Sequence, residues 1–274
     1  MDPMSAMPQL TAFDVVMRLI AAGIYIAIGC AALAQAPRDE RTRVFCALGF
    51  AHAAAFGVQA AHWLLGGNNA GASNRTAFGI MLAAQSVAAL LLFHFSQVFP
   101  RRRPWIRESG PQLPIAYVLT APAVLLLVHW WPVTKEAITM KFGLVLVVFG
   151  FPLLVLMGLV LPVGSIVSFV RSLREQPVRT PAQMRGGDQV DGRPLPDARP
   201  TIFGVLLSQL AAGALGLIVL APLTAAAPES FTVTIVTLTV WMLVLLTPFA
   251  FAAGVWKHRV LEIPLDPSAE VQPD

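Results

Sequence analysis

The amino-acid sequence predicts an all-α membrane protein: a polytopic bundle of seven transmembrane helices, with the N-terminus outside and the C-terminus cytoplasmic. Of its 274 residues, 56% are hydrophobic and only 12% are charged, about half the charged share of an ordinary soluble domain. Seven apolar runs each have the roughly 20 residues that a helix needs to cross about 30 Å of hydrocarbon. Basic residues collect in alternate connections between these runs. The remaining length is too short for a separate soluble domain.

The predicted spans are almost free of Lys, Asp and Glu and lack the alternation that a transmembrane barrel requires. Asp14 and Arg18 are the exceptions; they lie four residues apart at the start of the first span, where they can pair on one helix face. The spans cover residues 13–36, 44–66, 77–99, 113–133, 142–170, 201–225 and 231–256.

The distribution of Lys and Arg predicts the orientation. Fifteen of the 19 basic residues fall after the first, third, fifth and seventh spans, whereas three fall in the other connections. By the positive-inside rule, residues 1–12 form an external tail, 13–260 the seven-helix domain and 261–274 a cytoplasmic tail. The basic pI of about 9.6 is then a property of topology and of attraction to anionic lipid, and does not indicate nucleic-acid binding.

The connections and helix breakers suggest few binding surfaces. The outer connections are short, so an external ligand must enter the bundle or be presented by a partner. The cytoplasmic segment 171–199 is rich in Pro, Arg, Gly and Asp and is predicted to be a disordered loop; a docking segment that folds on binding is the alternative. Prolines in the spans are explained by packing geometry or by a hinge. Ala212 and Gly216 form a small-xxx-small pair that permits close helix contact.

Polar side chains within the spans are the best indicators of function, because each is costly in lipid unless it faces the bundle interior or water. His52, Gln59 and His62 lie within about 80° of one another on the second helix and form one inward stripe. Gln85 and His94 add polar groups from the third helix. Neutral imidazoles that hydrogen-bond neighbouring helices are the ordinary interpretation; a small-ligand pocket or a proton pathway is the functional one.

Two histidines lie close to the outer boundary and suggest where a ligand pocket would form. His62 and His129 lie within about 10 Å of that boundary, and Trp63 and Trp130 stand next to them in the sequence. Histidines on different helices can also hold haem b. The ten residues from His52 to His62, however, give under three turns and a large angular offset. No cofactor is therefore expected, and no catalytic motif or metal-ligand spacing is complete.

Two segments at the cytoplasmic boundary resemble a known family. They read LLFHFSQVFPRRRPW (Leu91 to Trp105) and AFAAGVWKHRVLEI (Ala250 to Ile263). Both are similar to the seven-transmembrane N-terminal sensor regions of bacterial histidine kinases and related signalling phosphatases. The resemblance implies a helical membrane module that senses a condition at the cell envelope and passes the signal to a cytoplasmic effector.

The sequence departs from that family because only 15 residues follow Arg259, with no kinase or phosphatase domain. We therefore expect a non-enzymatic protein of the bacterial inner membrane that signals through a separate cytoplasmic or membrane partner, docked on Arg101, Arg102 and Arg103. Whether several copies associate stays open. The rival interpretations are a b-type haem redox subunit, a transporter subunit, or an accessory subunit of a larger membrane complex.

Overall fold

The computed structural model describes residues 12–64, 72–108, 119–120, 123–124, 155–175, 189–190, 193–194, 196–226, 231–263 and 265. Within these ranges the chain is almost entirely helical. The helices are α1 (Ala12–Gln35), α2 (Glu40–Leu64), α3 (Ala72–Val98), α4 (Pro104–Glu108), α5 (Leu161–Glu175), α6 (Arg199–Ala214), α7 (Ala221–Ala226) and α8 (Phe231–Trp256). A short 3₁₀ turn follows α8 at Val260–Glu262.

Five helical stretches are long and apolar enough to cross a membrane: Ala12–Gln35, Glu40–Leu64, Gly79–Val98, Arg199–Leu223 and Phe231–Trp256. Much of their apolar surface points outward; Leu217, for example, is 78% exposed and Phe231 is 79% exposed. Large apolar surfaces of this kind are unfavourable in water, so these helices indicate a membrane-embedded protein. Most of the fourth predicted span and the first half of the fifth lie outside the described residues.

The helix bounds follow the predicted spans to within about five residues; α3, for example, begins at Ala72 rather than at 77. The helix α2 begins at Glu40, four residues before the predicted start at 44, and α5 runs on to Glu175. The segment predicted to be a disordered loop contains, in its described part, a two-residue antiparallel ladder that pairs Gln189–Val190 with Arg193–Pro194.

The described helices pack in a ring. In order, α1 contacts α2, α2 contacts α3, α3 contacts α5, α5 contacts α6, α6 contacts α8, and α8 closes the ring on α1. One end of this ring holds the C-termini of α1, α3, α5 and α8 and the N-termini of α2 and α6. We call it the arginine-rich end, because most of the basic residues lie there.

Small residues bring two pairs of helices into close contact. A Cβ atom built on Gly49 would lie only 2.7 Å from the carbonyl oxygen of Tyr25, so α1 and α2 touch through their backbones. On α6, a Cβ at Gly204 would lie 2.6 Å from the Cβ of Ala250 on α8. At Gly216, in the small-xxx-small pair, a Cβ meets nothing within 4 Å among the described residues, so a close contact there stays a prediction.

Two wide π-helical turns interrupt the apolar helices, and each ends two residues before a proline. Leu156–Val160 precedes Pro162, and Leu215–Leu220 precedes Pro222. A proline has no amide hydrogen, and its ring clashes with the carbonyl four residues earlier. The wider turn relieves that clash, because backbone N–H groups bond five residues back: Leu161 to Leu156, and Ala221 to Gly216.

A layer of phenylalanines fills the core next to the arginine-rich end. Phe45 of α2 stacks on Phe251 of α8, with ring centroids 3.9 Å apart, and Phe95 meets both rings at 5.4–5.5 Å. Phe99 and Phe169 extend the layer toward α5. All five side chains are essentially inaccessible, so the layer links four elements of the ring into one packed unit.

Candidate functional site

Arg41 is the most completely engaged polar side chain at the arginine-rich end. It is only 1% exposed. Its guanidinium forms a fork with the Asp39 carboxylate, at 2.7–3.2 Å, and also donates to four backbone carbonyls. These acceptors lie on Pro100 (2.9 Å), Val260 (3.0 Å), Leu261 (2.9 Å) and Ile263 (3.1 Å). One side chain thus ties the start of α2 to the chain leaving α3 and the chain leaving α8.

The local sequence explains how Arg41 comes to be fixed there. Asp39 precedes α2 and accepts a hydrogen bond from the backbone N–H of Arg41 at 2.8 Å, which is the usual role of an N-cap aspartate. Thr42 donates from its hydroxyl to the carbonyls of Ala36 and Asp39 and closes the turn between α1 and α2. The same carboxylate that caps the helix therefore orients the guanidinium.

The segments Leu91–Trp105 and Ala250–Ile263 meet at this point. Pro100 belongs to the segment that ends α3, and Val260–Ile263 belongs to the segment that follows α8. Arg259 turns the chain after α8 with a left-handed φ of 53° and is paired with Glu262. The backbone N–H of Arg102 adds a bond to the carbonyl of Leu265 at 2.9 Å. We call Asp39, Arg41, Pro100 and Val260–Ile263 the Arg41 cluster.

A second ionic group lies beside the Arg41 cluster. Glu40 contacts the Nε2 atom of His94 at 3.3 Å and the guanidinium of Arg102 at 2.5 Å. His94 is buried on α3. His94 is predicted from the sequence to face the bundle interior. In the structure it lies near the arginine-rich end and contacts the Glu40 carboxylate of α2.

The predicted docking residues differ in how they are engaged. Arg103 bonds Glu175 at 2.6 Å and the hydroxyl of Ser172 at 2.9 Å, so it links the end of α3 to α5. Arg102 contacts Glu40, whereas Arg101 is exposed. Only part of the predicted surface is therefore presented outward.

The second candidate site is an arginine within the apolar part of the bundle. Arg18 of α1 donates a hydrogen bond to the side-chain oxygen of Gln59 on α2, and its guanidinium lies 5.4 Å from the ring centroid of Trp241 on α8. The amide nitrogen of Gln59 contacts the sulfur of Met81 on α3. These four residues, which we call the Arg18 cluster, come from four helices. An arginine at the centre of a membrane span costs about 2.5–3.5 kcal/mol on insertion scales, and less near the ends of a span.

Ring contacts and hydrogen bonds continue from the Arg18 cluster along α1, α2 and α8, beginning with Phe56, whose ring lies 5.3 Å from that of Trp241. The ring of His52 lies 4.9 Å from that of Tyr25 and 5.7 Å from that of Phe56. The Tyr25 hydroxyl donates to the carbonyl of Val244 at 3.2 Å. Thr247 then bonds Ser208 of α6 at 2.8 Å. The predicted stripe residues His52 and Gln59 thus both face α1.

The predicted ligand pocket is described only in part. His62 and Trp63 lie partly buried near the end of α2, and the Nε2 atom of His62 is enclosed without a hydrogen-bond partner in the described part of the chain. His129 and Trp130 lie outside the described residues. Gln85 lies partly buried on α3.

Sequence reasoning did not single out Arg41 or Trp241. One signal for Arg41 was its position two residues after an aspartate in a helix-capping position. For Trp241, the signal was its place ten residues inside a span, whereas the other tryptophans stand near span boundaries. Both side chains would otherwise be explained by topology or by apolar packing.

Comparison with known proteins adds no further assignment, because no protein family, curated protein or solved structure matches the chain. Within the described residues, no group of three or more His, Cys, Asp or Glu side chains is placed to hold a metal ion. The two clusters have in common a guanidinium engaged by groups from several elements, with an ion pair to Asp39 at the Arg41 cluster and a hydrogen bond to Gln59 at the Arg18 cluster.

Proposed function

We propose that this protein is a non-enzymatic, sensor-like protein of the bacterial inner membrane that relays a change in the bundle to a separate partner at its arginine-rich end. The observation that carries the proposal is that the same two parts of the chain contribute to both clusters: α2, and α8 with the turn that follows it. Gln59 and Trp241 belong to the Arg18 cluster. At the other end of the same two helices, Arg41 holds Val260 and its neighbours.

The packing between the clusters supports transmission through rigid helices. Phe45 and Phe251 stack at 3.9 Å between α2 and α8. Because close-packed cores respond to a displacement by repacking in discrete steps, a shift of α2 against α8 near Gln59 alters their alignment near Arg41. The segment after α8 would then change its hold on Arg41 and with it the surface offered to a partner.

The coupling is testable without knowing the stimulus. In lipid nanodiscs, Gln59→Leu removes the acceptor of Arg18, and amide hydrogen exchange is followed by mass spectrometry over residues 257–263. We expect exchange there to quicken by about fivefold or more, the lower end of ordinary coupling free energies. Gln209→Leu is the matched control, because Gln209 lies on α6 outside both clusters. Equal exchange in both variants would contradict the relay.

Two measurements in cells test the signalling role and the orientation. Gln59→Leu at normal membrane abundance should alter the same transcripts as deletion of the gene; a change that follows only loss of abundance would indicate a structural role. A reporter fused after Asp274 should be active on the cytoplasmic side. A periplasmic signal would invert the proposed topology and remove the docking surface.

A further inference from the structure

The two cysteines of the chain lie opposite each other on neighbouring helices. Cys30 belongs to α1 and Cys46 to α2, and their thiols lie within hydrogen-bonding reach of each other. A Cβ atom built on Gly29 would lie 3.0 Å from the Cα of Cys46 and 3.6 Å from its Cβ. The backbones of the two helices therefore nearly touch beside the pair of thiols.

The register of α1 against α2 places the two cysteines together without reference to their own contact. The two helices run antiparallel, and Tyr25 of α1 contacts His52 of α2. The same offset, continued for five residues along α1, brings Cys30 level with position 47, next to Cys46. The thiol pair is thus a consequence of how the whole helices pack.

The two thiols differ in what surrounds them. Cys30 is exposed in the described part of the chain, whereas Cys46 is only 6% exposed. At about 1.5 Å per residue, both lie about 8–9 Å inside the ends of their helices at the arginine-rich end. These helices are long and apolar enough to cross a membrane. A reagent that reaches Cys30 must therefore dissolve in hydrocarbon, and Cys46 lies enclosed behind it.

From these observations we propose that Cys30 and Cys46 are a redox-active dithiol that forms a reversible disulfide between α1 and α2, with a lipid-soluble quinone as the oxidant. A disulfide joins Cα atoms about 4.4–6.8 Å apart, which requires helices that approach as closely as these do at Gly29. The bond fixes α1 against α2 and so records the oxidation state of quinones in the membrane. The proposal goes beyond the relay and does not depend on it.

The reaction is a two-electron exchange in which the exposed thiol attacks first. The Cys30 sulfur bonds to a ring carbon of the quinone, and the thiol proton passes to a quinone oxygen. The Cys46 sulfur then attacks the Cys30 sulfur, so the S–S bond forms, the S–C bond breaks and its electron pair stays with the ring. The ring takes the Cys46 proton and leaves as hydroquinone. Two thiols are oxidised to a disulfide, and one quinone is reduced.

The test uses the full chain in phosphatidylcholine nanodiscs, treated without oxygen with a decyl-substituted benzoquinone. Free thiols are counted by intact mass after unfolding in N-ethylmaleimide. We expect the count to fall from two, the number of cysteines in the chain, to none. One hydroquinone should form per chain, a peptide pair joined through Cys30 and Cys46 should appear, and dithiothreitol should restore both thiols.

The matched control is the double variant Cys46→Ser and Ala47→Cys, which keeps two thiols but moves one to an exposed position of α2, about 100° around the helix. It should lose its thiols at least about tenfold more slowly, because the second step no longer joins groups held in contact. Cys46→Ser alone should retain a quinone adduct at Cys30, and Cys30→Ser should form none at Cys46. Circular dichroism and elution as a single species establish that the variants are folded.

Several results would overturn the proposal. They are unchanged thiols in the presence of the quinone, equal rates in the native chain and the matched control, and a disulfide between two chains in place of one within a chain. An adduct at Cys46 in Cys30→Ser overturns the order of attack. Oxidation by a sulfonated benzoquinone, which stays in water, at a rate equal to that of the decyl-substituted one overturns the lipid-soluble oxidant. The relay is tested separately by hydrogen exchange in Gln59→Leu, and neither result decides the other.

Discussion

Replacing Arg41 by alanine is the most direct test of how the arginine-rich end is held together. The substitution leaves the Asp39 carboxylate without its guanidinium partner and removes the donor from the carbonyls of Pro100, Val260, Leu261 and Ile263. None of these partners can recover its bond easily, because the guanidinium is fully buried and water does not replace it without opening the turn.

The magnitude follows from this arrangement. Removing one member of a buried, hydrogen-bonded charge pair costs about 3–5 kcal/mol. We therefore expect Arg41→Ala to lower the free energy of unfolding by about 3–5 kcal/mol. At about 2–4 °C per kcal/mol for a chain of this size, the melting temperature falls by about 6–20 °C.

Thermal unfolding in nanodiscs measures the effect, and Arg43→Ala is the matched control. Arg43 lies two residues further along α2 and is exposed, and its loss changes the charge of the same segment equally. The free energy of unfolding of Arg41→Lys should lie between those of Arg41→Ala and Arg43→Ala, because an ammonium has three donors and lacks the planar fork. If the free energies of unfolding of Arg41→Ala and Arg43→Ala differ by less than about 1 kcal/mol, the size of an ordinary surface effect, the reasoning is refuted.

Three further predictions concern packing, pH and cofactors. Gly49→Ala should destabilise the protein by about 1–3 kcal/mol in the same assay, because its Cβ meets a backbone oxygen. Gly57→Ala should not, since a Cβ at Gly57 meets no described atom within 4 Å; equal effects would contradict the close contact. Burial raises the pKa of Glu175, but hydrogen bonds from two arginines outweigh it and hold the pKa below its ordinary value. Glu175 contributes under about 1 kcal/mol to the free energy of unfolding, because its carboxylate is half-exposed. That contribution is present above pH of about 4.3 and is lost as pH falls through the lowered pKa. Glu175→Gln should flatten this acid dependence of stability, and an unchanged dependence of stability on pH would refute the assignment. Purified protein should show no Soret band; a reducible band would favour the haem alternative.

The spans could be predicted from sequence because hydrocarbon thickness imposes length and polarity on each helix separately. The last span was predicted at 231–256, where α8 lies, and the first differs by one residue at each end. The sequence predicts that the second span begins at 44, four residues after α2 begins, because Glu40 and Arg41 look like loop residues when polarity is the only criterion. The capping by Asp39 extends the helix over them.

The partners of individual polar residues could not be predicted, because they depend on how the helices pack. Arg41 and Arg43 have the same chemistry and neighbouring positions, yet one is fully buried and the other exposed. Likewise, the helical period places His52 and Gln59 on one face, but it does not say which helix that face meets. The register of α1 against α2, fixed by backbone contact at Gly49, decides that Arg18 meets Gln59.

The order of residues along two helices indicates how the ends of the bundle communicate. Along α2 the order is Gln59, His52, Phe45 and Arg41. Along α8 it is Trp241, Thr247 and Phe251, and Val260 lies in the turn after the helix. Ring contacts lead from Trp241 of the Arg18 cluster through Phe56 and His52 to Tyr25. A hydrogen bond between Thr247 and Ser208 lies further along, and the next level is the phenylalanine layer. A proton chain is poorly suited to cross such a layer, whereas stacked rings transmit a displacement of one helix against another. The relay is therefore expected to be mechanical, with the Arg41 cluster as the joint where α2 moves against the chain after α8.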